Sequence, residues 1–157
     1  MNLVSFRPEL QSGLEDFLQA VCKSRGLVFD PIGQHSDIRN IELVYQSNGG
    51  DFWVLESVGS IVGTIALKII DRKESVGEIK RYFVLPANQG QGLGQKLIGH
   101  AIDVAISNGL KKLRLDTMKS SKVAFSIFRK NGFYEIEKYN DNEVAEIFME
   151  KILSSRL

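Results

Sequence analysis

The chain has 157 residues, 43% of them hydrophobic, which is enough for one domain with a buried core. Its 20 basic side chains nearly balance its 19 acidic ones, so the charge gives no reason to expect a nucleic acid as partner. The apolar runs are shorter than the roughly 20 residues that cross a membrane, and the first residues lack the pattern of a secretory signal. We therefore expect one cytoplasmic domain over residues 1–157 that contacts neither nucleic acid nor membrane.

The chain contains one cysteine and two histidines. Cys22 has no partner for a disulfide and no neighbouring thiols for a metal site. We expect no bound metal, and we expect Cys22 to be a small apolar residue on an amphipathic helix. No motif links it to His35 or His100, and both histidines are expected to be surface or cap residues.

The N-terminal third is predicted to be mainly helical. The segment "LVSF" predicts a short strand, and Pro8 then opens an amphipathic helix that ends near Gly26. A second helix is predicted over residues 36–46, with Ser36 as its N-cap.

The pattern then changes to that of strands. Residues 51–56 and 60–70 are rich in β-branched and aromatic side chains, which predicts an antiparallel hairpin. The later elements are a strand at 77–85, a helix from the glycines to Asn108, a strand at 111–117, a helix at 120–130, and strands at 133–139 and 145–153. This order predicts one α/β domain with a mixed sheet.

The strand predicted at 77–85 mixes polar and apolar residues on both faces. Regular alternation would place four of its side chains on one face of the sheet. They are Glu78, Lys80, Tyr82 and Val84.

Three glycines, Gly90, Gly92 and Gly94, follow this strand at alternate positions and precede a helix. Such a loop favours an anion site, because the free N–H groups and the dipole of the helix start converge on it. A P-loop is excluded, since Gln95 separates glycine from lysine and Leu97 stands where a hydroxyl is required. The dinucleotide fingerprint has a different glycine spacing. A purely structural role, for a tight turn and close packing, would explain one or two of the glycines.

The remaining pattern, Gln-x-x-Gly-x-Gly from Gln89 to Gly94, resembles the coenzyme A loop of the GNAT superfamily of acetyl-CoA-dependent N-acetyltransferases. The segments "FWVLESVGSIVGTIAL", "EIKRYFVLPANQGQGLGQKLI", "KVAFSIFRKNGF" and "YNDNEVAEIFMEKIL" resemble further parts of that family in the same order. The resemblance covers residues 51–153. It implies an α/β (α+β) fold: a single N-acetyltransferase domain with a mixed, mostly antiparallel sheet of six to seven strands and about four helices.

The resemblance also implies acetyl-CoA as co-substrate, without a metal. The pyrophosphate would lie on the N–H groups from Gln91 to Gln95. The pantetheine arm would pair with the backbone of Phe83 and Val84, entering where the strand at 77–85 splays from "LRLDT". The residues implied to contact the cofactor are Phe83, Val84, Gln89, Gly90, Gln91, Gly92, Leu93, Gly94, Gln95, Phe125 and Phe128.

The same resemblance implies catalytic roles for two residues. The Val84 amide would polarise the thioester carbonyl, and Glu78 occupies a position where some members of the family carry a general base. The alternative for Glu78 is a surface glutamate or a partner of Lys80 or Arg81. Its pKa would decide whether it works near neutral pH.

One position departs from the family pattern. Phe128 stands where the family usually has a tyrosine that protonates the departing thiolate, and phenylalanine cannot donate a proton. Tyr82, Tyr134 or Tyr139 could replace it.

Two functions follow from these observations. The first is an acyltransferase that moves an acetyl group to a primary amine of a small molecule or peptide by direct attack. The second is an acyl-CoA-binding module of the same fold with little or no turnover, as Phe128 would allow. Lys80 and Arg81 lie near the expected acceptor side, which favours an acceptor with a carboxylate or phosphate unless the pair is merely solvated. The protein is expected to be a monomer or a homodimer.

Overall fold

The computed structural model describes residues 1–154 and, over that part of the chain, contains one sheet of seven strands. The strands are β1 (Asn2–Ser5), β2 (Asp51–Ser57), β3 (Ser60–Asp71), β4 (Val76–Val84), β5 (Lys112–Thr117), β6 (Tyr134–Ile136) and β7 (Ile147–Ile152). Their order in the sheet is β1-β2-β3-β4-β5-β7-β6. Neighbouring strands are antiparallel except for the parallel pair β4 and β5. The predicted mixed, mostly antiparallel sheet is therefore confirmed.

Helices cover both faces of the sheet. The α-helices of residues 1–154 are α1 (Gln11–Ser24), α2 (Leu93–Ser107) and α3 (Lys122–Lys130). In α1 the apolar residues recur at helical spacing and are buried, and the chain leaves the helix through Gly26 in the left-handed region. None of the helices in residues 1–154 is long and apolar enough to span a bilayer.

The hydrophobic core is divided by the sheet. One cluster packs α2 and the buried side of α3 against residues such as Leu113 and Leu115 of β5. The other packs α1 and the segment that follows it against Phe52 and Val54 of β2. The sheet thus serves both layers, and β4 and β5 lie near its middle.

The regular helix predicted over residues 36–46 is wrong. A 3-10 turn at Ser36–Arg39 and a π turn at Glu42–Gln46 take its place, and Ser36 makes no side-chain cap. The physical reason is a tertiary contact: the Tyr45 hydroxyl donates to Asp37 Oδ2 at 2.6 Å. In a continuous helix these residues would be about 12 Å apart along the axis.

Strand β4 also departs from the predicted alternation. Ala66 of β3 lies opposite Lys80, but Thr64 lies opposite Phe83, so β4 carries one extra residue, a β-bulge. Arg81 in the bulge has φ +51°, and its carbonyl accepts a hydrogen bond from Thr64 Oγ1 at 2.7 Å. Because the bulge reverses the alternation, Phe83 shares a face with Glu78 and Lys80. Tyr82 and Val84 lie on the opposite face, contrary to the prediction.

Candidate active site

The parallel pair β4 and β5 separates after a short ladder. The strands pair only where Val76–Glu78 meets Lys112–Arg114, although β4 continues to Val84 and β5 to Thr117. The main-chain edges beyond Glu78 and Arg114 are therefore free to receive another molecule. The strand splaying that the resemblance implied is present, and the bulge at Arg81 lies beside it.

Two cavities meet at this split. The glycine-side cavity, of about 860 Å³, lies between the end of β4, the loop before α2, and α3. The carboxylate-side cavity, of about 790 Å³, lies between α1, β4, β5 and residues 139–145. Arg25, Tyr82 and Phe83 line both cavities. A molecule in one cavity can therefore approach a molecule in the other.

The glycine loop forms the mouth of the glycine-side cavity. Gly90 and Gly92 each have φ +78°, a left-handed conformation that favours glycine. A side chain at Gly94 would collide with the Tyr82 hydroxyl. A conformational or packing constraint therefore accounts for all three glycines, whereas the sequence suggested that it would account for one or two. Their geometry also leaves the first N–H groups of α2 without partners within the helix.

Most of the loop residues named from the sequence line this cavity. They are Gln89, Gly90, Gly92, Leu93, Gly94 and Gln95, while Gln91 is outside its wall. The side chain of Gln89 donates to the Val84 carbonyl at 3.2 Å. The side chain of Gln95 exchanges two hydrogen bonds with Asn131, at 2.8 and 2.9 Å. Both glutamine side chains therefore hold the loop in place.

The main chain of Val84 faces the split. Leu85 N–H donates to the Val62 carbonyl of β3 at 3.0 Å, and polar groups of successive strand residues point to opposite edges. The Val84 amide consequently points away from β3, as its predicted role requires. The main chain of Phe83 points toward β3, so the expected pairing of the pantetheine arm with the Phe83 backbone is wrong and only the Phe83 side chain can contribute to the cavities.

Tyr82 stands between β4 and the start of α2. Its hydroxyl is buried beside Gly94 and has no hydrogen-bond partner among the described residues. Burial raises the pKa of Tyr82 to about 12, so the hydroxyl is a donor that lacks an acceptor. A buried donor of this kind indicates a place where a ligand oxygen can bind.

The two phenylalanines named from α3 lie in different surroundings. Phe128 is 3% exposed and packs between the rings of Tyr82 and Phe133, with centroids 5.2 and 5.9 Å away. It lines the carboxylate-side cavity. Phe125 lines neither cavity, and its ring lies under the guanidinium of Arg129 at 6.0 Å.

Glu78 stands at the apex of the split and is only 5% exposed. Its Oε2 accepts from the Tyr139 hydroxyl at 2.6 Å and from the Asn140 amide at 3.2 Å. Its Oε1 lies 3.5 Å from Lys80 Nζ. Glu78 is thus a buried carboxylate whose Oε2 accepts two hydrogen bonds and whose Oε1 faces Lys80, so the alternative of a Lys80 partner is realised.

The loop over Glu78 contains residues that the sequence did not indicate. The Asn140 amide donates to Asp116 Oδ2 at 2.7 Å as well as to Glu78, and Asn142 donates to Asp116 Oδ1 at 3.1 Å. Residues 137–146 had been assigned partly to strands, but β6 ends at Ile136. The only signal was the Asn/Asp-rich run "YNDN", which is typical of loops.

The comparisons with known proteins agree with this geometry. Residues 18–133 match the Acetyltransferase (GNAT) family. This chain belongs to the GNAT family. It is 33% identical over 95 residues to the uncharacterized N-acetyltransferase YjgM of Escherichia coli, a match covering 60% of this chain and 57% of YjgM. The chain thus spans little more than half the length of this relative.

Solved structures share the fold of this GNAT protein. A GNAT-family acetyltransferase from Staphylococcus aureus has a TM-score of 0.87 at 24% identity, with 98% of this chain and 99% of that chain covered. The PaiA N-acetyltransferase from Thermoplasma acidophilum, solved in complex with coenzyme A, has a TM-score of 0.72 at 22% identity, with 96% and 98% covered. At these identities the likeness concerns the fold.

Arg81 of this GNAT protein is engaged by a carboxylate. Its Nε and Nη2 donate to Asp37 at 2.9 and 2.7 Å, and Nη2 also donates to the Gln34 carbonyl at 3.0 Å. Burial alone would raise the pKa of Asp37, but Arg81 outweighs it and holds the pKa below its ordinary value. Since Lys80 lies by Glu78, the predicted acceptor-binding pair is not free. Arg81 instead fastens residues 34–37 to β4.

Cys22 and His35 come together on the wall of the carboxylate-side cavity. Both are buried, at 5% and 7% exposed, and Cys22 Sγ lies 3.9 Å from His35 Nε2. His35 Nδ1 accepts from the Asp30 N–H at 2.9 Å, so its proton belongs on Nε2. His35 occupies the N-cap position of the 3-10 turn, as one of the two predicted roles, but its side chain makes no cap bond and is buried instead of lying at the surface. His100 packs edge-on against Trp53, with ring centroids 4.9 Å apart.

The three tyrosines named as possible acids differ in position. Tyr134 donates to Glu150 at 2.8 Å and lines neither cavity. Tyr139 lines the carboxylate-side cavity, but its proton is committed to Glu78. Tyr82 alone of the three lines both cavities. Within residues 1–154 no cluster of ligands could hold a metal ion.

Proposed function

We propose that this GNAT protein transfers an acetyl group from acetyl-CoA to a primary amine of a small molecule or peptide by direct attack. The observation that supports this most is the meeting of the two cavities at the split between β4 and β5. A main-chain donor, Val84, faces one cavity, and a buried carboxylate, Glu78, lines the other. On sequence grounds we further propose a cytoplasmic protein with a single N-acetyltransferase domain over residues 1–157, acting as a monomer or homodimer.

The glycine-side cavity suits coenzyme A, the molecule present in the PaiA structure. The N–H groups of residues 91–95 would receive the pyrophosphate at the start of α2. Lys122 and Lys130 line the same cavity and would add positive charge. The Tyr82 hydroxyl, which lacks a protein partner, would donate to an oxygen of the same molecule. Acetyl-CoA, when bound, supplies the activated acetyl thioester.

The residues at the split would divide the chemistry. The Val84 amide would donate to the thioester carbonyl, and losing one donor of this type costs about 10²- to 10³-fold in rate. An alkyl amine with a pKa of about 10.4 is almost fully protonated at neutral pH. Glu78 would accept the proton of the amine on Oε1, while Tyr139 and Asn140 hold Oε2. No covalent intermediate on the protein is required.

The second candidate, an acyl-CoA-binding module with little turnover, is favoured by Phe128. The phenylalanine fills the motif position and cannot protonate a thiolate. Tyr82, the neighbouring hydroxyl, has its pKa raised to about 12 by burial, which makes it a weak acid toward a thiolate of pKa about 8.5. In the active enzyme, therefore, the sulfur would leave as a thiolate that receives a proton from neither Phe128 nor Tyr82.

Two measurements test the proposal. Isothermal titration should detect acetyl-CoA binding to the wild type, and absence of binding would refute both candidates. Release of free thiol is then followed with a panel of primary amines, for the wild type and for Phe128→Tyr. Efficient turnover by the wild type supports the enzyme. Binding without turnover of any amine, together with activity that appears only in Phe128→Tyr, supports the binding module.

A further inference from the structure

Arg25 is a cation at the junction of the two cavities that has no acidic partner among the described residues. It follows α1 directly and lines both cavities. Its guanidinium lies 4.9 Å over the centroid of the Phe83 ring, an arrangement that holds the planar group in one orientation. Its main-chain N–H donates to the Cys22 carbonyl at 3.0 Å, but within residues 1–154 no hydrogen bond or ion pair engages the N–H groups of the guanidinium.

The other arginines of the carboxylate-side cavity differ from Arg25 in this respect. Arg81 is paired with Asp37, and Arg114 donates to Glu150 at 2.9 Å. Asp37 raises the pKa of Arg81 against the effect of burial, whereas burial lowers the pKa of Arg25 and no carboxylate opposes it. The Arg25 residue remains exposed overall, and a cation without a partner can bind an incoming anion without first giving up a carboxylate of the protein.

The carboxylate-side cavity also has a negative part. Glu78 and Asp116 line it beside the split, where β4 and β5 supply them. Asp141 lines the same cavity from the loop after β6. Arg25 lines it from the end of α1, where its guanidinium lies over Phe83 on the same face of the sheet as Glu78. The cavity therefore presents carboxylates in one part and a free guanidinium in another.

Such a cavity fits a molecule that carries both charges. We infer that the acceptor is an amino acid or a similar small amine with a carboxylate, which Arg25 binds while the amine faces Glu78. This inference rests on the proposed acetyltransferase function and names its substrate class. The fork of N–H groups on a guanidinium matches a carboxylate with two parallel hydrogen bonds.

The reaction is consistent with this placement. The amine nitrogen forms a bond to the acetyl carbon, the carbon–sulfur bond breaks, the thiolate leaves, and the amine proton goes to Glu78. The carboxylate takes no part in bond making and keeps its charge. Arg25 would therefore be a specificity-determining residue whose effect follows the carboxylate of the acceptor.

The test uses matched pairs of acceptors. Phenylalanine, lysine and β-alanine are compared with phenethylamine, cadaverine and ethylamine, which lack only the carboxylate. The wild type should favour the carboxylated member of a pair by about 10- to 100-fold in kcat/KM, the usual worth of hydrogen bonds to a charged group. Because Arg25 also lines the glycine-side cavity, the acceptors are compared at saturating acetyl-CoA. Under that condition Arg25→Met should remove this preference and change kcat/KM for the amine without a carboxylate less than threefold. Arg25→Lys should restore part of it.

Two further variants sharpen the comparison. Lys23→Met removes a charge from an exposed position of α1 that lines neither cavity, and it should leave the preference unchanged. Lys68→Met removes another cation that lines the carboxylate-side cavity. If the preference followed Lys68 and not Arg25, the inference would be overturned. It would also be overturned if Arg25→Met, at saturating acetyl-CoA, lowered kcat/KM for both members of a pair equally.

Binding measurements separate this inference from the proposed function. The three amino acids are titrated into the wild type and Arg25→Met with coenzyme A present, and binding is followed by ligand NMR. Acetylation of amines only without a carboxylate, with no amino acid bound, would refute the inference and leave the acetyltransferase intact. Amino-acid binding that depends on Arg25, without turnover of any amine, would refute the enzymatic proposal and the role of the amino acid as acceptor, and would leave Arg25 as a carboxylate-binding residue.

Discussion

The glycine-side and carboxylate-side cavities share a wall but are built in different ways. The glycine-side cavity is formed largely by two continuous stretches, residues 82–95 and 118–130. The carboxylate-side cavity gathers side chains from α1, residues 34–35, three strands, α3 and residues 139–145. A cavity formed by continuous stretches can be recognised as a motif in the sequence, whereas one assembled from distant segments cannot. Variants that affect one cavity and not the other therefore test both the assignment of the site and the difference between the two cavities.

The largest effect is expected for Glu78→Gln. Loss of a general base typically lowers the rate by about 10²- to 10⁴-fold, so kcat with any accepted amine should fall in this range. The KM for acetyl-CoA should change little, because Glu78 does not line the glycine-side cavity. Steady-state thiol release measures both quantities. Glu135→Gln, an exposed position on β6, is the matched control, and a fall of less than threefold in Glu78→Gln would contradict the role of base.

A large loss of stability is expected for Arg81→Met. The change leaves the Asp37 carboxylate, whose side chain is 15% exposed, without its partner, which costs up to about 3–5 kcal/mol of unfolding free energy. Urea denaturation followed by circular dichroism measures this loss. Arg39→Met is the control, since it breaks the exposed pair with Glu15 at 2.8 Å, and a pair of that kind is worth about 0–1 kcal/mol. Equal losses in the two variants would show that burial of the Asp37 pair contributes nothing.

The loss in Arg81→Met should also depend on pH. The pKa of Asp37 is lowered in the folded protein, so its contribution to stability is present above the unfolded value of about 3.9. It is lost as the pH falls through the lower folded value. The difference between wild type and Arg81→Met should therefore shrink below about pH 4. A difference that stays constant down to pH 2 would contradict this account.

A smaller effect is expected for Gly94→Ala on the glycine side. The added methyl would collide with the Tyr82 hydroxyl and lie 3.0 Å from Ile127 Cδ1, and overpacking of this kind costs about 1–3 kcal/mol. Tyr82→Phe removes the hydroxyl, so the double variant should recover much of the loss in a double-mutant cycle of thermal unfolding. Gly99→Ala, which meets nothing closer than 3.8 Å on the same helix, should instead stabilise by about 0.5–1 kcal/mol. Additive losses in Gly94→Ala and Tyr82→Phe would exclude the collision.

The sequence predicted the sheet and its order well because its signals there are local. Hairpin β2–β3 has β-branched residues around a turn, and α2 starts after Gly92 and ends at Asn108. The prediction failed at residues 36–46, because the Asp37 carboxylate accepts hydrogen bonds from both the Tyr45 hydroxyl and the Arg81 guanidinium. It failed again along β4, because a β-bulge has no signature in a single strand and depends on the register with β3.

The residues of the candidate site could likewise be predicted from the sequence only in part. The loop from Gln89 to Gln95 could be named from the sequence, because the anion-binding groups belong to one strand-loop-helix unit. The contacts of Glu78 could not, because Tyr139 and Asn140 stand more than sixty residues later in the chain. Lys80 and Arg81 are adjacent in sequence, but they have separate partners in the fold. Lys80 pairs with Glu78, and Arg81 pairs with Asp37.

By itself the sequence determined the family, the order of elements and the glycine loop, since each of these depends on residues close together in the chain. Only the tertiary structure decided which charged groups are paired and which are free. It joined Arg81 to Asp37, placed Glu78 under the loop of Asn140, and left Arg25 over Phe83. Charges are matched through space, and the distances that decide the match exist only after the helices have packed on the sheet.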